Sequence, residues 1–491
     1  MNKYLLKLLI FFILNIFSEK KINNNFEIKI SIEEEKKDDN NKYIEEILDV
    51  IRRPSQNNSS DELPSTLISK THSQPKKEWT VLIYIAGDNN LYKFALRNIE
   101  QLKQVGSNEL LNILVHFDYR KNNKLKKTRR FYIERNNLLE VGTYDWMDSG
   151  DEKTLISAGD WAIKNYPSNN FALILWNHGS GDINFTGQMG SKLINSSDLF
   201  FYNSLTNQIE LDKSINFSEF LIKNNKERGI CYDDKTLNYL DDDKLIKAFN
   251  EICKNINIST GKKKIDIILL DACLMAGIGT AYLCSQYANY MTASQEVVMG
   301  PGYNYQTMLK ILSKSKIEPE YFSNFIVENY EKTYSPITQD YTESALKLNN
   351  IEQLIIDTNK LAENLKNNLK NDSSGLLKKT IKYCASPDVC ISFEEPSYVD
   401  FYNLIDNIFN YIEKIDIKIN NKITFSTETK SIINNLKRSL KNVIIKNVTG
   451  KNYKKANGIS IYFPQYSIDK SFSKTFFGKK TKWLEFLQTV I

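Results

Sequence analysis

Histidine is nearly missing from this chain of 491 residues: His72, His116 and His178 are the whole supply. Neither these nor the six cysteines show a Cys-x-x-Cys or His-x-x-x-His spacing, so a structural zinc site has no support. Repeated glycines are absent from the turn Ala86-Gly87-Asp88-Asn89-Asn90, which argues against a phosphate-cradling, doubly wound binding module. Neither sign of charge dominates. The 65 Lys and Arg against 59 Asp and Glu give a net +6, and the lysines are scattered, which leaves no basic stripe for nucleic acid. Beyond the N-terminus no apolar run approaches membrane length, and no internal repeat stands out.

What is present supports a large folded unit. Hydrophobic residues make up 41% and aromatics 12%, enough for a sizeable core in one large domain with additions or in two domains. Lys3 and Lys7 precede the apolar block 8–17 and then Ser18, the layout of a signal peptide over 1–18. The rival is an uncleaved anchor; the expected location is secreted or extracytoplasmic, with no membrane role beyond that signal. Residues 19–78 read as a disordered pro-segment or linker: a charged run spans 33–42, a linker composition spans 54–60, and a single helix is expected near 43–52.

From Trp79 the chain alternates. Strands are expected at 79–86, 110–117, 171–176, 265–270 and 290–294, with an edge strand at 131–133. Helices are expected at 91–103, 152–165, 242–254 and 275–287. This order predicts an α/β fold, a mostly parallel central sheet with helices on both faces, over residues 79–350. A polar insertion at 182–228 interrupts it. Residues 351–491 read as a mainly helical region (351–369, 398–414, 430–441) packing on the 79–350 domain, with a closing strand at 458–463.

The apolar run 171–176 delivers Asn177 and His178, and the run 265–270 delivers Asp271 and Cys273. Strands buried on both faces gather reacting groups at their carboxyl ends, so a thiol and an imidazole are expected on one rim. A His within hydrogen-bond reach takes the thiol proton, which is cysteine-hydrolase chemistry. His116 lies inside a strand and reads as structural. Cys273 alone would read as a small buried hydrophobe, but its place before the 275–287 helix predicts a thiol pKa lowered by the helix N-terminus. Cys384 and Cys390 are the nearest pair for a disulfide, with no regular framework around them.

The runs 79–91, Leu175-Trp176-Asn177-His178-Gly179-Ser180-Gly181, Leu270-Asp271-Ala272-Cys273-Leu274-Met275-Ala276 and Ala456-Asn457-Gly458-Ile459-Ser460-Ile461-Tyr462-Phe463-Pro464 resemble those of the clostripain family. These are cysteine endopeptidases of the caspase-like clan, which includes gingipains and legumains. The resemblance implies a caspase-like three-layer sandwich with a helical C-terminal extension. It implies Cys273 as nucleophile, His178 as general base and acid, and the N–H groups of Cys273 and Gly179 as the oxyanion hole. Asp271 matches the acid lining the S1 pocket and implies protein or peptide substrates cut after Arg or Lys; capping of the next helix explains Asp271 equally well. Glu296 stands where the family places a further acid before a Pro-Gly turn, but here Val297-Val298-Met299 intervenes before Pro301-Gly302-Tyr303. The resemblance further implies an inactive precursor nicked within 182–228, with Lys192, Lys213, Lys223, Lys226 and Arg228 as candidate cuts, and hence a monomer or a nicked two-chain form. No cofactor is needed for the chemistry. Calcium dependence of some relatives makes the run Asp241-Asp242-Asp243 a possible oxygen source, and a helix start accounts for it as well; no metal ligand is assigned. Other readings are a non-peptidase thiol acyl-transfer enzyme (an amidase or acyltransferase) and an inactive caspase-like peptide-binding protein.

Overall fold

The computed structural model describes residues 66–67, 75–121, 125–181, 199–212, 229–419 and 424–491. The expected signal peptide, the helix near 43–52 and all five candidate cuts lie outside those residues. No helix among the described residues is long and apolar enough to cross a membrane.

The strands expected from continuous apolar runs form the middle of one ten-stranded sheet. Its strands are β1 (Thr66–Leu67), β2 (Lys77–Ala86), β3 (Leu111–Lys121), β4 (Leu125–Glu134), β5 (Asn137–Tyr144), β6 (Ser168–Trp176), β7 (Ile265–Asp271), β8 (Ala288–Ala293), β9 (Thr342–Lys347) and β10 (Ile444–Thr449). They lie in the order β1-β5-β4-β3-β2-β6-β7-β8-β9-β10. The block β3-β2-β6-β7-β8 is parallel throughout, and antiparallel strands flank it on both sides.

The crossover β2-α1-β3 steps one way along the sheet, while β6-α3-β7-α4-β8 steps the other, through α1 (Tyr92–Val105), α3 (Asp242–Thr260) and α4 (Ile278–Ser285). Right-handed crossovers running in opposite directions put their helices on opposite faces, which makes three layers. α2 (Glu152–Asn165) packs on α3, whereas α5 (Tyr305–Lys314) packs on α1 and α6 (Pro319–Tyr334) on β8 and β9. Caps set several starts: Asp151 accepts from Lys153 N–H at 2.9 Å, and Asp241 from Lys244 N–H at 2.9 Å.

The structure departs from expectation in several places. Residues 131–133 belong to β4, an interior strand with neighbours on both sides, because the hairpin through Asn136 (φ 59°) adds β5 beyond it. Thr66–Leu67, within the segment expected to be disordered, pair in parallel with Leu139–Glu140. The helix expected at 275–287 is only Ile278–Ser285. Finally, the boundary at 350 does not divide the sheet, because β10 comes from beyond it and pairs with β9. The strand expected at 458–463 is Ser460–Tyr462, paired with Tyr398–Asp400 in a separate two-stranded ribbon.

The acidic run at 241–243 is used by the fold. Asp241 caps α3, Asp242 accepts from Phe476 N–H at 2.7 Å, and Asp243 faces Lys479 at 3.7 Å. Its carboxylates thus serve three separate partners, a poor fit to one cation.

Candidate active site

β2, β6, β7 and β8 all end on one rim. The β6–β7 register pairs Leu175 with Leu270 and Trp176 with Asp271; carried two residues on, it sets His178 beside Cys273. The turns that follow touch. A Cβ added at Gly179 would lie 2.6 Å from the Cys273 carbonyl oxygen and 2.9 Å from Met275 Cγ. The turns that carry His178 and Cys273 therefore meet at a contact that only glycine permits.

The histidine turn is bolted in place. Asn177 N–H donates to the Asp271 carbonyl at 3.2 Å, its Nδ2 donates to the Ala86 carbonyl at 2.6 Å, and its Oδ1 accepts from Tyr232 N–H at 2.8 Å. Ser180 Oγ accepts from Gly229 N–H and from the Tyr232 hydroxyl, each at 2.9 Å. Tyr398, from the C-terminal region, donates its hydroxyl to the Ser180 carbonyl at 2.9 Å. The ring of His178 is nearly enclosed, and its Nε2 lies 2.6 Å from Asn90 Oδ1. That contact fits the tautomer protonated on Nε2, in which Nδ1 is the basic nitrogen.

Cys273 sits two residues past β7 in a turn, with Leu274 at φ 61°. Leu274 N–H reaches the Glu296 carbonyl at 3.2 Å, and Ala276 N–H reaches the Ser294 carbonyl at 2.9 Å. This turn separates the thiol from α4, so the expected helix-terminus effect is corrected: α4 begins only at Ile278. Instead the thiol is 6% exposed, and burial pushes it up to about 12. The nearby Glu296 and Asp271 carboxylates add to that rise, and Val298 N–H, donating to Sγ at 3.3 Å, opposes it. Val298 belongs to the three-residue departure singled out in the sequence; its N–H and carbonyl both face the thiol.

The two acids have different surroundings. Asp271 ends β7; its Oδ2 accepts from the Tyr305 hydroxyl at 2.8 Å, and Tyr303 N–H also donates to it. Gly302, at φ 65°, packs so closely that a Cβ would lie 2.6 Å from Oδ2. Burial raises the Asp271 carboxyl to about 7 against those two donors. The capping alternative does not hold for this residue, since Gly277 stands at the N-cap of α4. Glu296 is fully buried. Its Oε1 accepts from Val297 N–H at 2.7 Å and Glu394 N–H at 3.1 Å, with the Tyr453 hydroxyl also bonded to the carboxylate. It ties the loop after β8 to the C-terminal region. His116 is a core residue, stacked on Tyr84 with centroids 4.7 Å apart.

Sequence reasoning missed Asn90, Asn177, Val298 and Tyr398. Asn90 and Asn177 fall within the family-like runs, at the carboxyl ends of β2 and β6, and that position was their one available signal. All six cysteines are free, Cys384 and Cys390 included.

The sequence model of the clostripain family matches residues 83–198 and 220–489. Clostripain from Hathewaya histolytica is 24% identical over 478 residues, covering 84% of this chain and 79% of its own. Among solved structures, an inactive zymogen C11 protease from Parabacteroides distasonis is similar at a TM-score of 0.52 and 20% identity. It covers 86% of this chain and 99% of its own. A secreted C11 cysteine protease from Bacteroides thetaiotaomicron, solved with an irreversible peptide inhibitor, aligns at 0.50 and 17% identity, with 84% and 99% covered. These two structures share the fold described above.

Proposed function

Because the chain belongs to the clostripain family and is a cysteine endopeptidase, we propose that Cys273 is its nucleophile and His178 its base and acid, acting on bonds that follow Arg or Lys. The observation that carries this reading is the contact of Gly179 with the Cys273 carbonyl, which holds the two turns on one rim. A thiol pushed up to about 12 is protonated at neutral pH, so deprotonation accompanies attack: Sγ adds to the peptide carbonyl as His178 Nδ1 takes the thiol proton. The N–H groups of Cys273 and Gly179 hold the oxygen that gains charge. His178 then protonates the leaving amine, a thioester remains on Cys273, and water releases the acid product while His178 again serves as base. Asn90 fixes the ring orientation through Nε2.

Asp271 supplies the charge that selects a basic side chain. Its carboxyl is already shaped by Tyr303, Tyr305 and Gly302, and an arriving cation favours the ionised form. Processing within 182–228 is compatible with the fold. The hairpin Phe200–Asn203/Gln208–Leu211 is fastened through Ile209 N–H to the Ile337 carbonyl at 2.6 Å and Leu211 N–H to Asp340 at 3.1 Å. Cuts on either side of it would leave it docked, and a nicked enzyme would stay together through the shared sheet. Lys3, Lys7 and the apolar block 8–17 support export of the chain.

Labelling with an Arg- or Lys-directed chloromethyl ketone, followed by mass spectrometry, tests the assignment. Modification of Cys273, abolished in Cys273→Ala and slowed in His178→Ala, is the expected result. Modification of another cysteine, or cleavage surviving in Cys273→Ala, refutes it.

A further inference from the structure

The turn after β7 and the loop after β8 run side by side in opposite directions. Ala276 N–H reaches the Ser294 carbonyl and Leu274 N–H the Glu296 carbonyl, two residues back in the turn for two forward in the loop. The next such step brings Val298 to the turn of Cys273, and Val298 N–H donates to Cys273 Sγ at 3.3 Å. The Val298 carbonyl lies 3.9 Å from the same sulfur, as acceptor of the thiol proton. Its neighbours in the loop are tied elsewhere. Val297 N–H donates to Glu296 Oε1 at 2.7 Å, Gly302 N–H to the Met299 carbonyl at 2.8 Å, and Asn98 Nδ2 to the Pro301 carbonyl at 3.0 Å. Asn98 Oδ1 in turn accepts from Trp176 Nε1 at 3.0 Å, at the end of the strand that leads to His178. Gly300 packs so closely on Phe94 of α1 that a Cβ would meet its ring at 2.5 Å. With residues on either side fixed, the Val298 amide is aimed at the sulfur before any reaction begins.

We propose that the backbone N–H of Val298 is a catalytic group, holding negative charge on Cys273 Sγ whenever the sulfur has given up its proton and is not bonded to carbon. The proposal rests on the assignment of Cys273 as nucleophile given above. The sulfur's setting calls for such a donor: it is nearly enclosed, the Asp271 and Glu296 carboxylates are nearby, and α4 starts too late to lend its N-terminus. In acylation the S–H bond breaks toward His178 Nδ1 as the S–C bond forms. Val298 N–H shares the charge until it passes to the carbonyl oxygen, and His178 hands the proton to the departing amine. In deacylation water adds to the thioester and gives its proton to His178. The C–S bond then breaks, and the sulfur leaves as a thiolate beside the same N–H before taking the proton back from His178. A donor bonds a thiolate more strongly than a thiol, so both steps gain relative to the resting enzyme. The Val298 carbonyl suits the neutral form, so one residue faces the sulfur in each of its states.

The test replaces the Val298 amide by an ester in the full chain, through incorporation of α-hydroxyisovaleric acid at that position, which deletes the N–H and keeps the side chain. Val298→Ala, which keeps the N–H, is the control. Iodoacetamide labelling of Cys273 is followed by mass spectrometry from about pH 7 to about pH 10, together with kcat on an Arg peptide. In the ester protein the line of log labelling rate against pH should move about half a unit to one unit toward alkaline pH, and kcat should fall about tenfold. Val298→Ala should stay within about twofold of the unmodified chain in both measurements. The direction separates lost charge stabilisation from a loosened loop, because a loop lifted off the sulfur would expose it and speed labelling. Labelling unchanged or faster in the ester protein overturns the proposal. So does an equal slowing in Val298→Ala, which would trace the effect to side-chain packing. Peptide cleavage that survives in Cys273→Ala refutes the nucleophile assignment instead.

Discussion

Gly179→Ala isolates the contact on which the active site is built. The added methyl carbon would start 2.6 Å from the Cys273 carbonyl oxygen, 2.9 Å from Met275 Cγ and 3.0 Å from Ala272 Cβ, whereas ordinary contact begins at 3.4 Å. Relief therefore demands roughly 0.8 Å of separation between the two turns. Met275 can yield, but the carbonyl is backbone, and the histidine turn is held by the Asn177 and Ser180 bonds on either side. Overpacking of this kind costs about 1–3 kcal/mol of stability, and a displacement near 1 Å between reacting groups costs about a hundredfold in rate. The expectation is a kcat/KM lowered about a hundredfold, mostly in kcat, with a modest drop in melting temperature and slower iodoacetamide labelling of Cys273. Steady-state hydrolysis of a fluorogenic peptide, thermal melts and labelling rates check it together. A variant that melts earlier yet cleaves within threefold of wild type would refute the argument, since strain would then be present without reaching the chemistry.

Asn90→Ala should reduce kcat by about tenfold or more with little change in KM, because it frees the His178 ring without touching substrate; Asn90→Asp, which keeps the acceptor, should restore part of the loss. The thiol raised to about 12 predicts that iodoacetamide labelling of Cys273 climbs steadily with alkaline pH; a plateau near neutrality would instead show a preformed thiolate–imidazolium pair. For Asp271 the folded-state carboxyl titrates at about 7 against an ordinary 3.8, so the native state keeps a proton that the unfolded chain gives up. This group's contribution to stability is intact below the ordinary value and declines as pH rises from about 4 to about 7, by about 4 kcal/mol at most. Asp271→Asn should then be more stable than wild type near pH 8 while losing activity on Arg peptides, measured by urea unfolding. Asp400 accepts from Asn457 N–H at 2.6 Å, Gln295 at 3.0 Å and Asn403 N–H at 2.8 Å. Its replacement by alanine should cost about 3 kcal/mol in unfolding free energy, because several buried donors lose their acceptor.

The sheet's parallel centre was legible because buried parallel strands announce themselves as unbroken apolar runs, and the runs ending at Trp176 and Asp271 point directly at the site. Helix 152–165 was readable to both ends, with Asp151 in place as its cap. The start of α4 was not. Leu274 adopts a positive φ that its side chain disfavours, and the tertiary bonds from Leu274 to Glu296 and from Ala276 to Ser294 impose it. Strand β10 was hidden because Ile444–Thr449 follows a twenty-residue helix without a break, and its partner lies about a hundred residues earlier. Contacts such as Asn90 with His178, 88 positions apart, depend on where two strands end and leave no local pattern. Position after an apolar run located both His178 and Cys273, while the partners that tune them came only from the assembled rim.

Tyr398, Asp400 and β10 all belong to the last quarter of the polypeptide, yet Tyr398 braces the histidine turn, Asp400 holds Gln295 after β8, and β10 completes the sheet. The support of the histidine turn is therefore completed only by residues translated last. A nascent or half-threaded chain already carries His178 and Cys273, but it lacks Tyr398 and β10. Under the roles proposed for Cys273 and His178, a product truncated before Tyr398 would lack these supports and is expected not to cleave peptides.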